Sequence, residues 1–363
     1  MAKERHLGIE LLRVLSMGMI VLHHLLTWGG LLFAFPKLSA TDTALRLLNA
    51  FANCAVNVYA LITGYVGSRL RPARLLRQWL QVVFTGLAAT LAASLFAPVD
   101  GSLFLKALLP VSLEEYWYFS AFFGLMLLTP LLNAALNGLS KRQMGLSLMG
   151  CVFLFSLMLP SNTVLRLNGG YHVGWLCVLY LLGGWLRRYA ALEERNGWQK
   201  PALTYVLCVL LAWGWEIFAL WQGRKGVSLP FHSEWLLDYS SPAMELAAVC
   251  LLALFARMRP RGCVGRLATW AGPLTFGVYL IHDNPALRES LLKMRLESFN
   301  QLPFYLLPAA VLAAWLAVYG VSLVLEQLRT KLFTLLRVDA LCMRWEGGLR
   351  RLAARLLPDA PKP

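Results

Sequence analysis

The first apolar run of the chain reads Leu7-Gly-Ile-Glu10-Leu-Leu-Arg13-Val-Leu-Ser-Met-Gly-Met-Ile-Val-Leu-His23-His24. It is long and apolar enough to cross a bilayer as one helix. It nevertheless carries a carboxylate, a guanidinium and two imidazoles, which are costly inside a membrane unless they face a protein interior or a wet cavity. We therefore expect a membrane-spanning helix that forms one wall of a functional cavity.

Helical geometry indicates which of these groups share that wall. Arg13 and His24 are eleven residues apart, which is about three full turns at roughly 100° per residue, so they lie on one face. Their separation along the axis is about 16 Å at 1.5 Å per residue. Glu10 precedes Arg13 by three residues and can pair with it. His23 points about 100° away, and we assign it to packing.

The rest of the chain is organised in the same way. Of the 363 residues, 58% are hydrophobic, which exceeds the average for a soluble protein. These residues form runs of about twenty residues, which predicts an all-α polytopic membrane protein with about ten transmembrane helices. The predicted spans are 7–35, 45–68, 78–97, 116–137, 144–160, 171–190, 201–222, 236–257, 268–288 and 303–327.

Charge sets the expected orientation. The chain has 34 Lys and Arg residues and a net charge of +15, and most of these cations lie in short segments between apolar runs. The positive-inside rule then places the N- and C-termini in the cytoplasm. The same distribution argues against a nucleic-acid partner. The seven cysteines predict no disulfide framework, and no spacing of Cys and His indicates a metal site.

We divide the chain into a membrane domain, residues 1–335, and a cytoplasmic tail, residues 336–363. The spacing of apolar and basic residues in this tail predicts an interfacial amphipathic helix that binds anionic membrane lipid. Its apolar stripe consists of Leu341, Trp345, Leu349, Leu352 and Leu356. Its cations, Arg344, Arg350, Arg351 and Arg355, lie elsewhere on the helix.

Four arginines follow the second span: Arg69, Arg71, Arg74 and Arg77, which we call the arginine cluster. Arg74 and Arg77 are three residues apart at the start of the third span, where their guanidinium groups could clamp phosphates. Topology anchors that contact lipid headgroups are the alternative interpretation.

Two imidazoles are candidates for chemistry. His24 is suited to act as a general base toward a hydroxyl, and a satisfied interhelical hydrogen bond is the alternative. His282 and Asp283 end the ninth span, where they fit either a functional site or a helix-end cap.

Other polar groups in the spans are secondary candidates. Glu216 and Glu245 are further acids within predicted spans. The aromatic run Tyr116-Trp117-Tyr118 fits an interfacial belt or the wall of an acceptor groove.

Five stretches, in this order, resemble acyltransferase family 3, integral-membrane enzymes that acylate hydroxyls of bacterial surface glycans. They are Glu10-Leu-Leu-Arg13 to His24; Asn57-Val-Tyr-Ala-Leu-Ile-Thr-Gly64-Tyr65; Arg74-Leu-Leu-Arg77; Tyr116-Trp-Tyr-Phe to Pro130-Leu-Leu-Asn133; and Thr275-Phe-Gly-Val-Tyr-Leu-Ile-His282. The resemblance is closest to the stand-alone branch without a fused periplasmic domain.

The resemblance implies roles for these residues. Arg13 and His24 match the family's Arg-x10-His pattern, with His24 as catalytic base or acyl relay and Glu10 beside Arg13. Arg74 and Arg77, or Arg71 and Arg74, match its Arg-x-x-Arg pattern. The arginine cluster would then hold acetyl-CoA at the cytoplasmic face. The acceptor-side candidates are Asn57, Tyr65, Trp117, Tyr118, His282 and Asp283.

We therefore expect an O-acetyltransferase that moves an acetyl group to a surface polysaccharide or lipid-linked sugar at the outer face. Two other classes stay open. The buried acids would also suit a proton-coupled secondary transporter or flippase of a polysaccharide precursor, although no inverted repeat is visible. A membrane scaffold or sensor would not need His24.

Overall fold

A computed structural model describes residues 6–96, 98–157, 165, 167–194 and 197–356. The first five residues, the last three residues of the predicted fifth span (158–160) and the end of the predicted tail (357–363) lie outside the described residues. Within the described ranges the chain is helical and has no strand, which confirms the all-α class.

Fifteen helices are described, and most of the longer ones correspond to apolar runs. They are α1 Leu7–Thr27, α2 Ala40–Asn53, α3 Ala55–Val66, α4 Pro72–Ala93, α5 Ser102–Leu108, α6 Trp117–Gly138, α7 Lys141–Ser156, α8 Val173–Tyr189, α9 Gln199–Arg224, α10 Pro242–Phe255, α11 Gly262–Ala271, α12 Thr275–His282, α13 Pro285–Leu287, α14 Leu307–Leu335 and α15 Val338–Leu356. A 3-10 turn, Gly272–Leu274, joins α11 to α12, and a π-turn, Arg288–Leu292, follows α13.

Six helical stretches among the described residues are long and apolar enough to cross a membrane. They are Leu7–Phe33, Ala40–Val66, Trp117–Gly138, Gln199–Arg224, Trp235–Phe255 and Leu307–Leu335. The other predicted spans fall on α4, which carries several polar residues, on the shorter helices α7 and α8, and on the broken pair α11–α12. The count of ten spans and the side of the termini stay predictions.

Helix α1 is the centre of the bundle, since it packs against α2, α3, α10, α11, α12 and α14. Side chains of neighbouring helices also hydrogen-bond to its carbonyl oxygens. The Tyr319 hydroxyl donates to Val14 at 2.9 Å, and the Trp315 indole donates to Gly18 at 2.7 Å. Such bonds fix the rotation of α1, and therefore the direction in which its ionisable side chains point.

Helices α3 and α8 pack against each other over a large contact, and two glycines allow their backbones to approach closely. A Cβ atom on Gly64 would lie 2.0 Å from the Tyr180 carbonyl oxygen, and one on Gly183 would lie 2.2 Å from the Leu61 carbonyl oxygen. Small residues let helix backbones approach closely inside membranes, where tight packing replaces much of the hydrophobic driving force.

The variant Gly183→Ala should lower stability by about 1–3 kcal/mol, because its methyl group has no space beside the Leu61 carbonyl. At about 2–4 °C per kcal/mol, this is a clear fall in the melting temperature of the detergent-purified protein. The matched control is Gly214→Ala in α9, where nothing lies within 4 Å of the added Cβ. Equal melting temperatures for the two variants would contradict the packing argument.

Candidate active site

A cavity of about 260 Å³ lies between α1, α3, α4, α6 and α12. Arg13 and His24, the two α1 residues predicted to share a face, both line it. Aromatic and apolar side chains form most of the remaining wall. The polar and aromatic residues that line the cavity are Arg13, His24, Tyr59, Thr63, Gln78, Trp117, Tyr118, Phe122, Tyr239, Thr275, Phe276 and Tyr279.

His24 forms a hydrogen bond with the buried His282 of α12, and the chain of bonds determines where the protons sit. Nδ1 of His282 lies 2.6 Å from the Val278 carbonyl oxygen, which can only accept, so this nitrogen carries a hydrogen. In the neutral ring, Nε2 of His282 is then an acceptor. It lies 3.0 Å from Nδ1 of His24, which must therefore donate. The lone pair of His24 is left on Nε2, as a general base requires.

Asp283 lies next to the imidazole pair. Its Oδ1 atom is 3.7 Å from Nδ1 of His24 and accepts a hydrogen bond from Arg288 at 3.2 Å. The Arg288 guanidinium in turn lies over the Trp28 ring, 4.4 Å from its centroid. A carboxylate at this distance stabilises a positive charge on His24. Arg288 is not among the residues predicted from the sequence, where its only local signal is its position five residues after Asp283.

Arg13 lies nearer the amino end of α1, where Glu10 holds it. The Arg13 guanidinium donates to Oε1 of Glu10 at 3.0 Å, as the three-residue spacing predicted. Glu10 is buried against Gly272, where a Cβ atom would lie 2.4 Å from Oε2. The Tyr59 hydroxyl donates to the Arg13 carbonyl at 2.8 Å. These contacts hold a cation at the cavity wall, distant from the imidazole pair.

The arginine cluster does not line this cavity. It begins just before α4, and its members are exposed except Arg77, which is half-buried. Nε of Arg77 lies 2.5 Å from Oδ1 of Asp339 in α15. The next residue, Gln78, does line the cavity, so the first two turns of α4 connect the cluster to the cavity wall.

The acceptor-side candidates divide into two groups. Trp117 and Tyr118 line the cavity together with His24. Asn57 is fully buried; its amide donates to the Tyr239 carbonyl at 2.7 Å and accepts from the Trp175 indole at 3.1 Å. Both contacts of the Asn57 side chain are with protein groups, the Tyr239 carbonyl and the Trp175 indole, so Asn57 connects α3 to α8 and to the segment before α10.

Tyr65 is not brought to the imidazole pair. It ends α3 near the start of α1, where its hydroxyl donates to Oε1 of Glu193 at 3.2 Å and accepts from Arg187. Glu193 also contacts His6 and Arg259, so Tyr65 belongs to a charged cluster at the other end of the bundle.

Trp117 belongs to an aromatic shelf that we define as Trp117, Tyr171 and Tyr239. The ring centroid of Tyr171 is 4.5 Å from that of Trp117 and 4.8 Å from that of Tyr239. Tyr171 is 44% exposed, whereas Trp117 and Tyr239 line the cavity. Four consecutive positive φ angles, from 48° to 98° over residues 167–170, turn the chain into this position. Tyr171 is not among the residues predicted from the sequence, where the glycine pair before it is the local signal of the turn.

The two secondary acids lie elsewhere. Glu216 accepts from Arg46 at 2.5 Å, and Arg46 also pairs with Asp42 at 3.0 Å, which makes a buried charge network between α2 and α9. Glu245 faces a separate cleft between α7, α8 and α10. His23 faces Asn49, 2.7 Å away. Within the described residues, no group of three potential metal ligands is present.

Glu115 is a buried carboxyl in the segment that precedes α6. The Asn284 amide, next to Asp283, lies 3.4 Å from its Oε1 and 3.0 Å from the Tyr116 hydroxyl. Oε2 of Glu115 is buried without a hydrogen-bond partner among the described residues. Burial raises the pKa of the Glu115 carboxyl to about 7. Below that pH this acid favours its neutral form.

A family model described as an acyltransferase domain matches residues 6–327, which include α1–α13 and most of α14. No curated protein and no solved structure matches the chain. Helix α15 lies beyond the matched residues.

The hydrogen-bond chain predicts the same tautomer, protonated at Nδ1, for both His24 and His282. The ¹⁵N spectrum of detergent-purified protein labelled at its six histidines should show both rings as neutral rings of this type near pH 8, beside that of His23, whose Nδ1 lies 2.7 Å from Oδ1 of Asn49. The variants His24→Gln and His282→Gln assign the two signals. A His24 ring protonated at Nε2 would contradict the proposed direction of the bonds.

The raised pKa of Glu115 predicts that its effect on stability depends on pH. Its stabilising contribution is present below the usual carboxyl pKa, about 4.5, and is lost as the pH rises through about 7. Glu115→Gln should therefore melt about 2–6 °C higher than the wild type at pH 8, and this gap should shrink by pH 5. A gap that does not change with pH would show that burial does not disfavour the ionised carboxylate.

Proposed function

The chain belongs to acyltransferase family 3, and from this premise we propose that it transfers an acetyl group from cytoplasmic acetyl-CoA to a hydroxyl of a surface polysaccharide or lipid-linked sugar at the outer face of the membrane. The observation that carries the proposal is the lone pair on Nε2 of His24, which the bond to His282 leaves on a ring that lines the cavity.

In the proposed reaction, Nε2 of His24 takes the proton of the acceptor hydroxyl. The acceptor oxygen forms a bond to the acetyl carbon, the carbon–sulfur bond of the thioester breaks, and the proton passes to the departing thiolate. While His24 is an imidazolium, Nδ1 donates to His282, and the Asp283 carboxylate 3.7 Å away offsets the charge. Arg288 keeps that carboxylate in place through its own hydrogen bond. Asp283 and Arg288 are thus positioning residues.

We assign the donor to the side of Arg13 and α4. Exposed guanidinium groups of the arginine cluster suit the phosphates of coenzyme A. Arg13 and Gln78 line the cavity between that cluster and His24. Because Arg13 is about 16 Å from His24 along α1, the donor must be a long molecule with an anionic end and a reactive far end. Coenzyme A, with its flexible thioester arm, has this shape.

The acceptor is assigned to the aromatic shelf. A sugar ring presents an apolar face of C–H groups to an aromatic side chain and polar hydroxyls at its edge. Tyr171 offers such a ring at the surface, and Trp117 and Tyr239 continue the aromatic wall to the cavity that contains His24. A sugar that packs on the Tyr171 ring would therefore contact a continuous row of aromatic rings that leads to the cavity containing His24.

The carrier alternative has less support from the geometry. A proton-coupled carrier needs its buried acids along the substrate path. Glu216 is paired with Arg46, and Glu245 faces a different cleft from the one that contains His24. A bacterial inner-membrane location, cytoplasmic termini and the division at residue 335 are parts of the same proposal.

The variant His24→Gln should lower the rate of acetyl transfer by at least about 100-fold, which is the usual effect of losing a general base. The measurement uses inverted membrane vesicles from the cells that carry this chain, supplied with radiolabelled acetyl-CoA, and counts label in the glycan fraction. Normal labelling by His24→Gln would reject the enzyme proposal.

The neighbouring variant His23→Gln is the matched control, since His23 faces Asn49 rather than the cavity. It should keep its rate within a few-fold of the wild type. Arg74→Gln should mainly raise the KM for acetyl-CoA, by roughly tenfold for one lost charged hydrogen bond. Export of an unmodified precursor that depends on Glu245 would instead support the carrier.

A further inference from the structure

Helix α15 has two sides of different charge. Its acids Asp339 and Glu346 face α4, where Asp339 contacts Arg77 and Glu346 contacts the backbone of Ala73. Four of its arginines are exposed: Arg344, Arg350, Arg351 and Arg355. Arg350 pairs with Glu346 at 2.6 Å, on the acidic side. The acidic side is thus the docked side, and the exposed guanidinium groups of Arg344, Arg351 and Arg355 can reach a partner.

The docked side holds the beginning of the arginine helix. Helix α4 starts at Pro72, and its N-cap residue, Arg71, makes no side-chain cap. Oε2 of Glu346 accepts a hydrogen bond from the Ala73 amide at 3.2 Å and so replaces the missing cap. Cys342, one turn before Glu346, is buried in the same contact. Helix α15 therefore lies at the level where α4 begins.

The free side also presents large apolar residues. Leu341, Trp345, Leu352 and Leu356 are between 45% and 70% exposed, interspersed with the arginines. Exposed apolar side chains beside a row of cations are typical of helices that lie in the headgroup region of an anionic bilayer. A soluble acidic protein would match the charge of this surface, but the exposed leucines and Trp345 fit a lipid layer better.

We propose that α15 is a membrane-docking helix whose partner is the anionic lipid of the membrane surface, and that its docking holds the amino end of α4 in place. The exposed arginines of α15 bind lipid phosphates, and Trp345 and the exposed leucines enter the headgroup layer. The hydrogen bond between Glu346 and the Ala73 amide then holds the first turn of α4 against the docked helix. This inference concerns a helix beyond residues 6–327, the range that the family model matches. It does not depend on acetyl transfer.

The test uses the full chain in nanodiscs of phosphatidylcholine, with or without phosphatidylglycerol. A bimane label on Leu352→Cys, in a Cys263→Ser background that removes the exposed native thiol, reports the surroundings of α15. Its emission should shift to the blue when phosphatidylglycerol is present, and 0.5 M NaCl should reduce the shift. Equal emission in both lipids would overturn the proposal.

Charge removal gives the matched comparison. Combined Gln substitutions at Arg344, Arg351 and Arg355 should abolish the shift, since each arginine contributes about a fivefold preference for an anionic surface. The control replaces three exposed arginines elsewhere, Arg142, Arg261 and Arg266, with Gln and should keep it. A shift that survives the first set, or disappears in the control, would show that α15 is not the lipid-binding element.

The link to α4 has its own readout. Glu346→Gln weakens the replacement cap, so amide hydrogen exchange in the first turn of α4 should rise by up to about fivefold, while the lipid-dependent shift persists. Unchanged exchange would show that docking does not hold α4. Because neither measurement uses a donor or an acceptor, failure of acetyl transfer would leave both results interpretable.

Discussion

The hydrogen bond from Nδ1 of His282 to the Val278 carbonyl is the constraint on which the candidate site depends. A carbonyl oxygen accepts hydrogen bonds and never donates them, so this contact determines the tautomer of His282 and, through it, that of His24. The two imidazoles are 258 residues apart in sequence, and their bond ties α1 to α12. One backbone carbonyl thereby decides whether the cavity contains a base or a hydrogen-bond donor.

The rest of the bundle keeps that bond in place inside a membrane. Packing between α3 and α8 leaves no space for a side chain at Gly64 or Gly183, so these helices form a rigid support. Hydrogen bonds from Tyr319 and Trp315 to the backbone of α1 fix its rotation. The buried charges of Arg46 and Glu216, away from the cavity, are paired with each other, which offsets the cost of a low-dielectric interior.

The cavity differs in character along its length. Around Arg13 and Gln78 its wall is polar and continues toward the exposed arginines at the start of α4. Around Trp117 and Tyr239 its wall is aromatic and continues to the exposed ring of Tyr171. This asymmetry suits a reaction in which an anionic donor and a sugar acceptor meet from opposite sides. Helix α15, beyond the residues that the family model matches, contacts the start of α4 beside the polar end of the cavity.

The sequence by itself determined the all-helical class, the family and the cavity-lining face of α1, because helical periodicity and the Glu10–Arg13 spacing are local properties. Only the tertiary structure brought His282 and Arg288 to His24, Tyr171 to Trp117, and Asp339 to Arg77. It also placed Tyr65 away from the imidazole pair and gave Asn57 a structural role, although both lie within one family motif. The physical reason is that contacts between helices depend on the rotation of each helix about its axis and on where each helix is interrupted. The periodicity of apolar residues in a single sequence does not specify either.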